Sequence, residues 1–410
     1  MPVDRVEHVL RAALDDLVAS GRAKGAESVI IAVRPAEGRS GPRYLLAGEG
    51  ERAFLRFNSN GYLGMALNPE VIAAEEESVA RFGAGPQAVR FISGTYSPHI
   101  ALEQRLAAFH GREAVIAFSS AYATVMGVLS PLITEQTAVL SDELNHNSII
   151  NAIRLARPLS RAVYGHGSVE ELRAALDQAA GSARRAIIVT DGVFSMRGDH
   201  APLAQIRAVA DEYDARFPEN VLVVVDDSHG VGALGRTGRG TEEVTGARAD
   251  LLIATLGKAF GVNGGYLAGS AVIVQYLRET APFYVYSNPI TPGEAAAAGR
   301  AVELLDSAAG TALLDRLREN TARFRTGLVA LGYETIPGEH PIVPLLVRDS
   351  DRTAALVRAL RAGGVLATGL GYPVVPRGSE EIRFQIAADH TSDDIDEVLA
   401  LLATWRGEQA

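Results

Sequence analysis

Of the 39 Lys and Arg residues in this chain, only Lys24 and Lys258 are lysines. Arginine could satisfy any site that needs only a cation. It cannot supply a neutral amine, because its guanidinium does not deprotonate in proteins whereas a buried lysine readily does. Lys258, in the stretch TLGKAFG, therefore points to amine chemistry, a nucleophile that forms a covalent bond to a carbonyl. A surface lysine among other charges is the plainer reading, and its neighbours must decide between the two.

Those neighbours are the polar residues that follow short apolar runs. Ser119 and Ser120 follow EAVIAF; Asn145 and His146 follow TAVLSD; Asp191 and then Ser195 follow AIIVT. Asp226, Asp227, Ser228 and His229 follow VLVVV, and Gly257 and Lys258 follow LLIAT. A lone Asp in such a place is commonly a helix cap. Five runs that deliver Ser, Asp, His and Lys to one rim make a catalytic inventory instead.

The runs must be elements that bring their ends together. Each is continuously apolar, as in parallel strands buried on both faces, and they are separated by helix-length stretches such as VEELRAALDQAA and LAQIRAVADEYDARF. The pattern predicts an α/β fold with a parallel or mixed sheet covered by helices, over residues 61–290. Such sheets bind ligands at the carboxyl ends of their strands. Residues 1–60 are read as an N-terminal helical and strand segment. Residues 291–410 change character: a long helical region over 293–332 precedes short strands, PIVPLLV and EIRFQIAA, and a last helix, which predicts a smaller α+β domain.

Two glycine-rich stretches are discounted. GVGALG (230–235) fits a dinucleotide fingerprint, but four polar residues separate it from its strand, and TLGKAFG lacks the spacing of a phosphate loop. A strand-end Asp about thirty residues before a Lys suits pyridoxal 5′-phosphate. Its aldehyde condenses with an amine, its ring nitrogen is held protonated by a carboxylate, and its phosphate takes hydroxyls and helix-start N–H groups.

Several stretches then carry a resemblance: SNGYLGM, AVRFISGTYSPHIALEQRLAAF, SDELNHNSIINAIR, TDGVFSMRGD, VVDDSHGVGALGRTGRG, TLGKAFGVNGGY and YPVVPRGSEEIRFQIAADHT. Over residues 55–395 the chain resembles the α-oxoamine synthases, fold-type I pyridoxal-phosphate transferases. Its VRFISGT, VDDSHGVG and YPVVPRG look most like the glycine C-acetyltransferase branch. The resemblance implies a mostly parallel seven-stranded sheet with a smaller C-terminal α+β domain, and a Claisen-type condensation of a small amino acid, glycine favoured, with an acyl-CoA thioester.

Carried over by position, Lys258 would hold the cofactor aldehyde and remove the amino acid's Cα proton. Asp226 would pair with the ring nitrogen, His229 and Ser195 with the phenolic oxygen, and His146 would stack on the ring. Backbone N–H groups of Ala121 and Tyr122, together with Thr255, would hold the phosphate, with Ser287 reaching it from a second subunit. That last role implies a homodimer. Arg383, assisted by Asn60, would clamp the substrate carboxylate. No metal ligand is expected.

Arg197, Asn147, Val125, Pro289 and Gly61 depart from the family pattern around the substrate entrance and phosphate turn, which leaves room for a different acyl donor or electrophile. Val89 matches the acetyltransferase branch. A catalytically silent partner subunit is a third reading, against which Lys258 argues.

A net charge of −10 speaks against nucleic acid or an anionic membrane as partner. With no cysteine, disulfides, thiolate metal sites and a cysteine nucleophile are excluded. The first 25 residues mix Asp and Glu with apolar positions, an amphipathic helix rather than a signal sequence. No apolar run approaches the roughly 20 residues of a membrane span. A cytoplasmic protein is expected.

Overall fold

The computed structural model describes residues 3–20, 22–23, 25–372 and 374–409. Lys24, and Pro373 of YPVVPRG, lie outside the described residues. Packing divides the chain into two compact units. One comprises Asn60–Thr321 with Gly338–Pro341; the other comprises Met1–Ser59, Ala322–Pro337 and Ile342–Ala410.

The first unit is built on a seven-stranded sheet. Its strands are β1 (Ala114–Phe118), β2 (Thr137–Asp142), β3 (Ser160–Tyr164), β4 (Arg185–Asp191), β5 (Val221–Asp226), β6 (Leu251–Thr255) and β7 (Gly265–Gly269), ordered β1-β7-β6-β5-β4-β2-β3. The five runs expected as strands are all present. β3 and β7 were not among them: β3 is a half-exposed edge strand, and β7 reads GYLAG, with a glycine at each end.

The pairings explain the continuous apolar character. Ile187, Val189, Val224 and Ile253 face one cluster with helix Ala121–Leu132, whereas Ile188, Val223 and Val225 face the other with helices Val169–Ala179 and Leu203–Tyr213. Successive side chains point to opposite faces and both are covered, so every position must be apolar. β3, β2, β4, β5 and β6 pair in parallel. β7 is antiparallel to β6 and β1, because only residues 256–264 join it to β6, too few for a crossover helix.

The boundary expected at residue 290 is displaced by packing. The region 293–332 forms two helices, Pro292–Leu305 and Ala308–Ala330. The first, rich in alanine, lies on helices Pro69–Phe82 and Ser97–His110 of the large unit and accepts a hydrogen bond from Ser78 Oγ at its Pro292 carbonyl (2.9 Å). The division falls inside the second.

In the other unit, strand Glu381–Gln385 lies between Ile342–Leu346 and Thr368–Leu370, antiparallel to both. Phe57, Phe324 and Phe384 form the aromatic centre of its core. Residues 1–59 belong to this unit rather than forming a separate segment. Helix Asp4–Ala19 forms as its pattern predicts, with no residue buried. Among the described residues no helix is long and apolar enough to cross a membrane.

Candidate active site

The register of the sheet makes the site. Asp191 and Asp226, the last residues of β4 and β5, are direct partners across the parallel pair. With Lys258 just past β6 and His146 just past β2, they line one cavity at the carboxyl ends of the strands. Ser195, Ser228, His229, Ala121 and Tyr122 line the same cavity.

Two neighbouring aspartates, the last residue of β5 and the one after it, have different tasks. Asp226 faces the cavity and its Oδ1 accepts the Ser228 N–H (3.1 Å). Asp227, fully buried, accepts the Thr241 N–H (2.7 Å) and hydroxyl (2.6 Å), and burial pushes its carboxyl up to about 7. A Cβ on Gly192 or Gly230 would come within 2.1 and 2.0 Å of Asp227 Oδ1. Asp227 thus anchors the turn that presents Ser228 and His229.

Asp191 is fully enclosed. Burial, followed by the adjacent Asp226 carboxylate, holds its carboxyl well above the usual range. Its Oδ2 accepts the backbone N–H of His146 (2.9 Å), and its own N–H donates to Asn145 Oδ1 (2.8 Å). His146 caps helix Asn147–Ala156: the Ser148 N–H donates to His146 Nδ1 (3.2 Å). Nδ1 is therefore the acceptor nitrogen, and in the neutral ring Nε2 carries the proton. Burial lowers this histidine, with Lys258 adding to the effect and Asp226 opposing it, so the ring is held neutral.

The opposite wall is the start of helix Ala121–Leu132. Ser120 caps it by accepting the Ala123 N–H (3.1 Å), and the first N–H groups of a helix have no acceptor within it. β7 passes so close that a Cβ on Gly265 would lie 2.5 Å from the Ala121 nitrogen. Glycine at 265 is what lets the first residue of an inner strand and a helix start meet here.

These residues fit pyridoxal phosphate. The helix start suits a phosphate, Lys258 an aldehyde and Asp226 a protonated ring nitrogen. Ser228 Oγ is buried without a hydrogen-bond partner, a polar atom that a ligand's oxygen or nitrogen would satisfy.

Other expected residues lie elsewhere. Thr255 ends β6 beyond the cavity lining, its Oγ1 donating to the Gly264 carbonyl (3.2 Å) and accepting the Gly257 N–H (3.1 Å). Ser287 is half-buried in the turn after helix Pro282–Val285, outside the lining. Asn60 accepts a long hydrogen bond from Tyr62 Oη (3.4 Å). Arg383 stands on an inner strand of the other unit. Of the departures, Asn147 bonds Tyr122 Oη (3.2 Å), Arg197 pairs with Asp199 (2.7 Å), and Val125 is in the core.

Asp191 was legible as one of the strand-end residues at the rim, but no role was assigned to it. Tyr62, inside SNGYLGM, carried no signal of its own.

The aminotransferase class I and II family model matches residues 52–402. The chain is 41% identical over 355 residues to 8-amino-7-oxononanoate synthase of Bacillus pumilus, covering 86% of this chain and 88% of that one. It is 40% identical over 361 residues to mitochondrial 2-amino-3-ketobutyrate coenzyme A ligase of Bos taurus, covering 87% and 84%. Among solved structures, Sphingomonas wittichii serine palmitoyltransferase superposes with a TM-score of 0.87 at 27% identity, over 98% of this chain and 97% of that one. An SPT structure with PLP superposes with a TM-score of 0.86 at 27% identity, over 98% and 97%.

Proposed function

Because the chain belongs to the aminotransferase class I and II family, as an α-oxoamine synthase that uses pyridoxal 5′-phosphate, we propose that it joins a small amino acid to an acyl-CoA thioester and releases coenzyme A. The observation that carries this reading is the meeting of Lys258, Asp226 and a neutral His146 in one cavity beside a helix start.

When bound, the cofactor supplies an aldehyde for the amine and a pyridinium ring that accepts electrons from the substrate's Cα. The protein residues do the rest. Asp226 keeps the ring nitrogen protonated, the N–H groups of Ala121 and Tyr122 hold the phosphate, and Ser195 and His229 hold the phenolic oxygen. Lys258 Nζ takes the Cα proton. His146, protonated at Nε2, stacks on the ring and donates to the incoming acyl carbonyl as charge develops there. Arg383 and Asn60 hold the amino-acid carboxylate, and Ser287 completes the phosphate site of a second copy, which makes the working form a homodimer.

Glycine is the first candidate amino acid, on the strength of Val89 and the VRFISGT and YPVVPRG stretches. The relatives are named for different products, so another acyl donor is the alternative, favoured by Arg197 and Asn147 at the positions that depart from the family pattern.

Thiol release from acetyl-CoA by cofactor-loaded protein, with glycine, with L-alanine and with neither, tests the reading, with Lys258→Ala as the blank. Glycine-dependent release that the variant lacks supports the acetyltransferase reading. No release with either glycine or L-alanine, from protein that binds the cofactor, moves the proposal to another substrate pair.

A further inference from the structure

The loop after β3 brings His166 between two carboxylates. Nδ1 lies 3.3 Å from Asp142 Oδ1 and Nε2 lies 3.3 Å from Asp199 Oδ2. An ionised carboxylate only accepts hydrogen bonds, so both ring nitrogens must donate, and only the imidazolium has two N–H groups. The edge-on Phe194 ring, 4.3 Å away, closes one side.

Each carboxylate belongs to a segment that enters the active site. Asp142 ends β2 four residues before His146; it fixes that turn by accepting the Leu144 N–H (2.9 Å), and it holds the loop of His166 by accepting the Gly167 N–H (2.9 Å). Asp199 lies in the turn that carries Ser195, closed by Phe194 N–H to the Asp199 carbonyl (2.9 Å) and by the Val193–His200 bridge. The charges nearby are Glu143, whose Oε1 accepts the backbone N–H of His166 (2.9 Å), Glu171, whose Oε2 accepts the Gly165 N–H (2.7 Å), and Arg197, whose Nε donates to the same Asp199 Oδ2 (2.7 Å).

We propose that His166 is a positioning residue: as an imidazolium it ties the segment bearing His146 to the turn bearing Ser195, so its protonation governs how well the cofactor is held. This rests on the reading that His146 and Ser195 bind that cofactor. The hydrogen bonds to Asp142 and Asp199 hold the ring's pKa up to about 9, so the tie is closed at neutral pH. Loss of either proton sets a ring lone pair against a carboxylate, and one of the two segments is released. Arg197, a departure from the family pattern, stays paired with Asp199 in either state.

Long-range nitrogen–proton spectra of histidine-labelled apoprotein decide the protonation directly. Both His166 nitrogens are expected protonated at pH 7.5, the signals being assigned by their absence in His166→Gln. A ring with a single proton at that pH overturns the proposal; should His166→Gln not fold, His166→Asn serves for the assignment.

Equilibrium binding of pyridoxal 5′-phosphate to both proteins, followed by absorbance, tests the consequence. The variant is expected to bind about tenfold more weakly at pH 7, the size of a hydrogen bond to a charged group. That ratio should shrink towards one as the pH passes about 9. A ratio independent of pH would show a merely structural role and overturn the positioning. If neither protein binds the cofactor, the reading of the cavity fails while the spectra still decide the protonation.

Discussion

The phenol of Tyr62 and the ring of His229 share a hydrogen bond of 2.7 Å between Oη and Nδ1, across 167 positions of sequence. Tyr62 is fully buried, so the bond orients the imidazole from behind. Because Nδ1 is engaged, a bond from this ring to the cofactor comes from Nε2. Tyr62→Phe is expected to weaken cofactor binding roughly three- to tenfold, the worth of one net hydrogen bond, with little change in the unfolding midpoint. Equilibrium dialysis of the cofactor checks it; an unchanged affinity sinks the idea.

Gly265→Ala is expected to damage the phosphate end alone. A Cβ there meets the backbone nitrogen of Ala121 at 2.5 Å, and backbone cannot swing aside as a side chain can. The helix start must shift, so affinity for pyridoxal phosphate should fall more than about tenfold while affinity for pyridoxal, which has no phosphate, stays within about twofold. Parallel titrations with the two compounds give the comparison. Equal losses would mean that the helix start does not hold the phosphate.

Stability of the large unit depends on a buried ionic cluster away from the cavity. Glu103 accepts from Arg90 through both oxygens (3.1 and 3.2 Å), from Arg278 (2.8 Å) and from the Ala117 N–H (3.0 Å). Glu103→Gln leaves the buried Arg90 guanidinium and the partly buried Arg278 guanidinium without their carboxylate and is expected to cost about 3–5 kcal/mol. Urea unfolding measures this. A loss below about 1 kcal/mol would show that the cluster is replaceable.

The Asp191–Asp226 pair sets a pH dependence with a definite sign. The folded state holds Asp191's proton more tightly than the unfolded chain does. Its stability contribution is therefore complete below the ordinary Asp pKa of 3.8 and is lost as the pH rises from there through the raised folded value. Asp191→Asn should flatten that limb and raise the apoprotein's melting temperature at neutral pH by a few degrees. It keeps an oxygen to accept the His146 N–H. Melting curves from pH 4 to 8 test it, and a variant with the wild-type slope would refute the assignment.

Most of the site could be read from the sequence because its members are local events. Asp226, Lys258, His146 and Ser195 each follow an apolar run, and runs of that kind are strands whatever their order. Pairing order is not local. Asp191 and Asp226 are neighbours only because β4 lies beside β5, and Tyr62 meets His229 only after the chain has folded back from the far end of the unit. β7 escaped because glycines at its two ends, Gly265 against the helix start and Gly269 against Leu251, interrupt the apolar run. The boundary at 290 was misplaced because a change from strands to helices marks a change of composition, whereas the alanine-rich helix Pro292–Leu305 packs on the large unit.

Two adjacent carboxyl groups at the ends of β4 and β5 also tie the folded state to what binds between the strand ends. The sheet holds the two groups together, so Asp191 keeps its proton beside Asp226, and a cationic ring is the natural counterweight to the charge that the pair carries. A ligand that binds only the folded state adds RT ln(1 + [L]/Kd) to its stability. Cofactor supply therefore acts on how long the folded polypeptide lasts as well as on how fast it turns over.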